Sequence, residues 1–330
     1  MSIPGSAIWR SAQGARFVAS PRFQGAPRLL GTDRLEPGLP QRLQAALHHT
    51  GGDHPGIGHH QGAGQPELRQ HLGDLGRRIG EPRDAAARPD VDPFTFRVTR
   101  AEERAMGFAW TPEIVQRGLG SSGATFAATQ DSLHVGLGIN FGGGTHHAYR
   151  DHAEGFSFLN DVAISARWLL DRGHAQRIAV LDFDVHQGNG TASIFAAEPR
   201  VLTVSVHGAN NYPFQKEKGD LDINLPDGTG DGAYLGVMDR EVAPVVAAFR
   251  PDFAFYLAGA DVLEGDQLGR LALTDAGLQA RDRMVREACL RAGVPFAATL
   301  GGGYDRDVVR LGERHAASLL SLAGHYVAAE

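Results

Sequence analysis

From residue 134 onward the chain repeats one pattern, a short apolar run followed by a longer stretch with helical spacing. The runs are HVGLGINF (134–141), RIAVLDFDV (177–185), VLTVSVH (201–207), FAFYLAGAD (253–261) and FAATLGGGY (296–304). All read as buried strands, and most end in glycine, polar or charged residues. Between them, NDVAISARWLLDRG has Asn160 or Asp161 as its N-cap and Gly173 as its C-cap. TDAGLQARDRMVREACLRAG starts at Thr274 and stops at Gly293, and a third helix fills Asp231 to Phe249. This alternation predicts an α/β fold, a single largely parallel sheet flanked by helices on both faces. Ligands of such sheets sit beyond the carboxyl ends of the strands. The unusual residues collect at those ends: Asp182 to His186, His207, Asp261 and Tyr304.

A chain of 330 residues with 42% hydrophobic content can bury one sizeable core. The formal net charge of -6 comes without a dense Lys/Arg block, which argues against nucleic-acid and membrane-surface partners. The single cysteine, Cys289, excludes an intramolecular disulfide and reads as a buried small hydrophobe. The first ten residues lack an apolar leader and no 18-residue apolar run follows, so the expectation is a cytoplasmic protein. GLGSSG (118–123) fits a dinucleotide motif by letter, but no strand precedes it and it lies in a helix-like stretch.

Residues 1–95 are an atypical N-terminal segment, set against 96–330 as the catalytic part of one structural domain. Within it, residues 48–74 hold six histidines (His48, His49, His54, His59, His60 and His71) and few apolar residues. Three readings stand: a metal-binding tract, a disordered insertion too polar to offset its ordering entropy, and translation in a shifted frame.

The chemistry starts from VLDFDVHQGNG. Asp182, Asp184 and His186 alternate with apolar residues, and two carboxylates with an imidazole on one face of a dry core need a cation. LAGADVLEGD supplies Asp261 at another strand end. Asp184, His186 and Asp261 then form three protein ligands with open positions, the pattern of a catalytic zinc site. Oxygen-rich ligation acidifies a bound water less than three neutral imidazoles would, so a separate base is needed. His146 and His147 in GGGTHHA offer one. Asp182 would orient one imidazole and favour its charged form, Asn189 would orient the other without adding charge, and Tyr304 after GGG would donate to an oxyanion.

GGGTHHA, GFSFLNDVAI, VLDFDVHQGNGT, LTVSVH, AGADVLEGDQLG and LGGGY occur in the order found in the histone deacetylase superfamily. The sequence resembles its class IV-like bacterial branch and the acetoin-utilisation deacetylases from about residue 100 to 320. The resemblance implies the arginase–deacetylase fold and zinc-dependent hydrolysis of N-acyl amides, foremost N-ε-acetyl-lysine in proteins, with release of acetate. It makes Asp184, His186 and Asp261 the ligands of Zn²⁺, with Fe²⁺ as an alternative. His147 becomes the general base, partnered by Asn189, and His146 the electrostatic partner or proton donor, paired with Asp182. Tyr304 would polarise the acyl carbonyl. Gly155, Phe156, Tyr212 and Leu268 would line the substrate tunnel, and Asp182, Asp184, His186, Ser205 and Val206 would hold K⁺. Leu268 stands where polyamine-specific members carry glutamate, which weakens a polyamine substrate. The family's N-terminal strand, helices and rim loop find no counterpart in residues 1–95. An acetylpolyamine or other small acetylated amine, an arginase-like ureohydrolase with two metals, and a non-catalytic acyl-lysine binder are the alternatives.

Overall fold

The structure, a computed structural model, describes the backbone of residues 7–10 and 16–19 and the whole of residues 99–324. The strands are β1 (Ala7–Arg10), β2 (Arg16–Ala19), β3 (Leu137–Asn140), β4 (Ile178–Asp182), β5 (Val201–Gly208), β6 (Leu221–Leu225), β7 (Phe253–Leu257) and β8 (Phe296–Thr299). Among the described residues they form one sheet in the order β2-β1-β3-β8-β7-β4-β5-β6. The six strands from β3 to β6 are parallel throughout. β1 extends them in parallel beside β3, and β2 closes the edge antiparallel to β1. The helices are α1 (Arg100–Met106), α2 (Pro112–Val135), α3 (Asp161–Asp171), α4 (Asn189–Phe195), α5 (Asp231–Val237), α6 (Ala243–Phe249), α7 (Asp275–Ala292) and α8 (Val308–Leu322). A π turn at Met238–Val242 joins α5 to α6, so the helix expected over Asp231–Phe249 is continuous.

Strand residues alternate between two cores. Ala179 and Leu181 of β4, with Ala254 and Tyr256 of β7, pack on the face covered by Tyr234, Leu278, Val285 and Leu319. Ile178 and Val180, with Phe253, Phe255 and Leu257, pack on the face covered by Phe126, Trp168 and Phe195. Both sides of the central strands are therefore dry, which explains their unbroken apolar runs. Chain order reverses between β7 and β4: β4 runs on to β5 and β6, and the chain then returns through β7 and β8. A crevice opens at the carboxyl ends of strands on either side of such a reversal, and there the acidic residues that end or follow β4 and β7 meet.

Some expectations need correction. Asp182 ends β4, so Asp184 and His186 lie in the bend beyond it rather than in extended chain. The alternation survives because Phe183 and Val185 are buried in the core. α3 is capped by Asn160 and ends at Arg172, with Gly173 one residue later. α7 is capped by Thr274 and stopped by left-handed Gly293, as expected. GLGSSG lies inside α2. β1 and β2 supply N-terminal strands that the sequence did not place. Otherwise the histidine tract and the readings of residues 1–95 lie outside the described residues.

Candidate metal centre

The site is assembled by backbone hydrogen bonds to its own carboxylates. Asp182 Oδ1 accepts from the Asp184 amide at 3.2 Å, and Asp184 Oδ1 from the His186 amide at 2.8 Å. Asp261 Oδ1 accepts from the Val185 amide at 3.0 Å, which ties the bend after β4 to the loop after β7. Ligand atoms of Asp184, His186 and Asp261 then lie within 4.8 Å of one another, and all three residues are buried. His186 Nδ1 stands 3.0 Å from Asp184 Oδ1 and 3.3 Å from Asp261 Oδ2.

This donor set fits a divalent cation. Asp261 Oδ2 is buried and makes no hydrogen bond, an arrangement too costly for a carboxylate oxygen unless a cation reaches it. Burial and the Asp184 charge push the Asp261 carboxyl up. Burial works against a charged His186, yet its hydrogen bond to Asp184 and the nearby Asp261 carboxylate lift it to about 10. Both shifts express one demand for positive charge. Gly302 leaves the space clear: with φ +75°, a Cβ there would come within 2.3 Å of Asp184 Oδ2 and 2.5 Å of Asp261 Oδ2.

The tandem histidines follow β3 on a loop pinned by α3. Asp161 accepts from the Gly144 amide at 3.0 Å and the Thr145 amide at 2.9 Å. Asn160 Nδ2 donates to the Ala148 carbonyl at 3.1 Å. The two ring centres lie 4.1 Å apart with the planes tilted at 52°, but the rings pair differently. His146 Nδ1 meets Asp182 Oδ2 at 2.6 Å, while His147 Nδ1 meets Asn189 Oδ1 at 2.6 Å. Burial disfavours the charged form of both. For His146 the charge and hydrogen bond of Asp182 prevail and raise it to about 9. For His147 the neighbouring His146 charge adds to burial, and the amide bond does not compensate, so it falls well below the ordinary histidine range. The pair therefore joins one proton-holding and one neutral imidazole. The His147 ring centre is 6.0 Å from that of His186.

The remaining expected residues surround this floor. The Tyr304 ring stands edge-on to His186 at 6.2 Å, and burial followed by the Asp184 and Asp261 charges keeps its phenol protonated. The Tyr212 ring is edge-on to His147 at 5.0 Å. Gly155 is packed so closely that a Cβ would lie 2.5 Å from the His147 ring. Phe156 holds a left-handed backbone (φ 61°) and is 55% exposed, and Leu268 is 45% exposed. Asp182 pairs in register with Ser205 on β5. A cavity of about 10 Å³ lies beside them, lined by Asp182, Thr191, Ser205 and Asp222, room for one water-sized occupant. His207 is fully buried and spans Ser205 Oγ at 2.9 Å and Asn224 Oδ1 at 3.0 Å. Cys289 is buried, and its thiol is pushed up to about 12.

Sequence reasoning missed several contributors. Arg281, fully buried in α7, donates to the carbonyls of Phe183 (3.0 Å) and Gly259 (2.8 Å) and so clamps the two ligand loops together. Asp266 accepts from the amides of Leu268 (2.8 Å), Gly269 (2.8 Å) and Tyr304 (2.6 Å). Glu154, Tyr149 and Glu217 bond around Asn189.

Residues 84–320 match the family described as "Histone deacetylase domain". An uncharacterized protein of Picosynechococcus sp. is 44% identical over 230 residues, covering 70% of this chain and 76% of the relative. A probable deacetylase of Archaeoglobus fulgidus is 40% identical over 170 residues, covering 48% of this chain and 47% of the relative. This chain thus spans about half the length of that second relative. The crystal structure of an acetylpolyamine aminohydrolase from Burkholderia pseudomallei superposes with a TM-score of 0.53 at 27% identity, covering 63% of this chain and 64% of the other.

Proposed function

The chain belongs to the histone deacetylase family of hydrolases, and from that premise we propose that it hydrolyses N-ε-acetyl-lysine to lysine and acetate, with a catalytic domain over residues 96–330. One observation carries the reading. Beside an Asp–His–Asp cation site stand two imidazoles whose partners give them opposite protonation. Hydrolysis of an amide needs both a base for water and an acid for the leaving amine.

Asp184, His186 and Asp261 would hold Zn²⁺ or Fe²⁺. Such an ion would polarise the acyl carbonyl and make the attacking water more acidic. His147, neutral and with Nδ1 tied to Asn189 Oδ1, takes a proton at Nε2. His146, kept charged by Asp182, compensates the developing negative charge and holds the proton for the departing amine. Tyr304, kept protonated, donates to the carbonyl oxygen. Gly155, Phe156, Tyr212 and Leu268 would enclose the aliphatic stem of the acyl-lysine. K⁺ at Asp182, Asp184, His186, Ser205 and Val206 belongs to the same proposal, as does a cytoplasmic setting. No helix among the described residues is long and apolar enough to cross a membrane.

A small acetylated polyamine is the second reading, favoured by the aminohydrolase structure. The apolar Leu268 at the exposed rim favours the lysine substrate. An arginase-like site with two metals finds less support, because Asp184, His186 and Asp261 are the one such group among the described residues. The test is acetate release from an acetyl-lysyl peptide by zinc-loaded protein, with Asp261→Ala as blank. Release that disappears in the variant supports the reading. A zinc-bound protein that acts on acetylpolyamine and leaves the peptide intact replaces it with the second, and zinc binding without turnover of either would favour the acyl-lysine binder.

A further inference from the structure

We propose that Glu154 is a positioning residue for the base: it fixes the amide of Asn189 in the orientation that keeps the lone pair of His147 on Nε2. The inference rests on the deacetylase reading for its kinetic consequence, but not for its geometry.

An amide oxygen only accepts hydrogen bonds, so His147 Nδ1, 2.6 Å from Asn189 Oδ1, carries the ring hydrogen and leaves Nε2 basic. An aspartate at this place would present an oxygen in either orientation. An asparagine does so in one, and its two orientations have nearly the same shape. The choice is made at the far end of the amide. Asn189 Nδ2 lies 3.1 Å from Glu154 Oε2 and 3.1 Å from the Tyr149 hydroxyl. Tyr149 commits its own hydrogen to Glu217 Oε1 at 3.1 Å, so toward the amide it can only accept. Reversal would set Asn189 Oδ1 against a carboxylate oxygen and present an N–H to His147 Nδ1. The ring hydrogen would then move to Nε2, and the base would be lost.

Glu154 is itself well placed for this. Its backbone exchanges hydrogen bonds with Ser157, N to O at 3.0 Å and O from N at 2.9 Å, just ahead of the glycine that packs on His147. Its second oxygen accepts from the Tyr212 hydroxyl, and the Tyr212 ring stands at 86° to His147. One half-buried carboxylate thus sets both the amide behind the base and the aromatic wall in front of it.

The test uses full-length, zinc-loaded protein with ¹⁵N-labelled histidine, the His147 signals being assigned by their loss in His147→Ala. Wild type should show hydrogen on Nδ1. Glu154→Ala should show a mixture with Nε2–H and a kcat lower by about tenfold, the smaller end of losses typical for groups that orient a site from behind, with KM little changed. Glu154→Gln, whose side-chain oxygen still accepts from the amide, should recover most of kcat. In an Asn189→Asp background orientation no longer matters and two carboxylates face each other, so there Glu154→Ala should raise kcat. An unchanged His147 tautomer in Glu154→Ala, or an equal fall in both backgrounds, overturns the proposal. Glu154→Met, similar in length and without an acceptor oxygen, takes the place of Ala if that variant does not melt cooperatively. If wild type releases no acetate, the deacetylase reading fails while the tautomer still decides the role of Glu154.

Discussion

The floor of the site and its wall are held by different means. Asp182, Asp184 and Asp261 each take a backbone amide from the bend after β4, all buried at the carboxyl ends of the central strands. The wall stands on loops. Phe156 and Leu268 are about half exposed, and the Tyr212 segment is tied across to the Leu268 carbonyl by Asn211 Nδ2 at 2.7 Å. Lys216 Nζ, pointing back to the Pro213 carbonyl at 2.6 Å, steadies the same segment. A floor fixed by strand ends has one geometry and supports one kind of chemistry. A wall made of cross-tied loops can change residue by residue without disturbing that floor, so reaction type and substrate choice are separable here.

The largest expected effect tests the floor. Asp261→Ala removes the carboxylate with an unbonded buried oxygen. Acetate release should fall to the blank, and zinc should be lost to a mild chelator while the thermal transition stays cooperative. Retained zinc with full turnover would mean that the cation sits elsewhere. Next comes Tyr304→Phe, on the border between floor and wall. Loss of one donor to an oxyanion should lower kcat by about 10²–10³ with metal content unchanged. A near-normal rate would remove Tyr304 from the reaction and leave it as wall.

The same contrast explains what could be read from the sequence. Floor residues were legible because each follows an unbroken apolar strand, where an ionisable group is conspicuous. Glu154, Tyr149, Glu217 and Asp266 were not, because charged and polar residues are ordinary in loops and only their contacts set them apart. Arg281 was hidden in another way. It lies in a helix rich in Arg, Asp and Glu, where sequence alone cannot distinguish the one arginine turned under the ligand loops from the helix's other charged residues. β6 was missed because Asp222 and Asn224 interrupt its apolar residues, yet Asp222 accepts from Gln187 at 2.7 Å and Asn224 meets His207. An edge strand buries one side, so its polar residues are part of the pattern.

His207 sharpens the comparison from beneath the floor. It is a buried histidine at a strand end, but its partners are Ser205 and Asn224 rather than carboxylates. Burial lowers it to about 4, against an ordinary 6.5. The folded state therefore binds fewer protons than the unfolded chain between these values. Stability is fully present above pH 6.5, falls as pH drops toward 4, and levels off below. The loss from this residue is roughly 3 kcal/mol. His315, also lowered to about 4 by burial and then by Arg281, adds a similar slope. His147, lowered well below the ordinary range, acts in the same direction, so His207→Gln should flatten the dependence of the melting temperature on pH across this window by about a third. An unchanged slope would place the acid sensitivity elsewhere, beginning with His147 and His315, which burial also lowers.

The smallest effect tests the wall alone. Leu268 is 45% exposed, its amide is held by Asp266 and its carbonyl by Asn211, so its side chain can be exchanged without moving its backbone. Leu268→Glu would set a carboxylate at the rim. A partly exposed ion pair with a cationic substrate contributes about 1 kcal/mol or less, so kcat/KM for an acetylpolyamine should rise severalfold relative to an acetyl-lysyl peptide. The gain should shrink as salt is raised, because the pair is screened. Zinc content should not change, nor should kcat for the peptide at saturation. If kcat for both substrates falls together, Leu268 supports Tyr304 through Asp266, and wall and floor are then mechanically one structure. If the preference shifts while kcat holds, the two are independent, and the substrate of this protein is set by side chains that can be replaced one at a time.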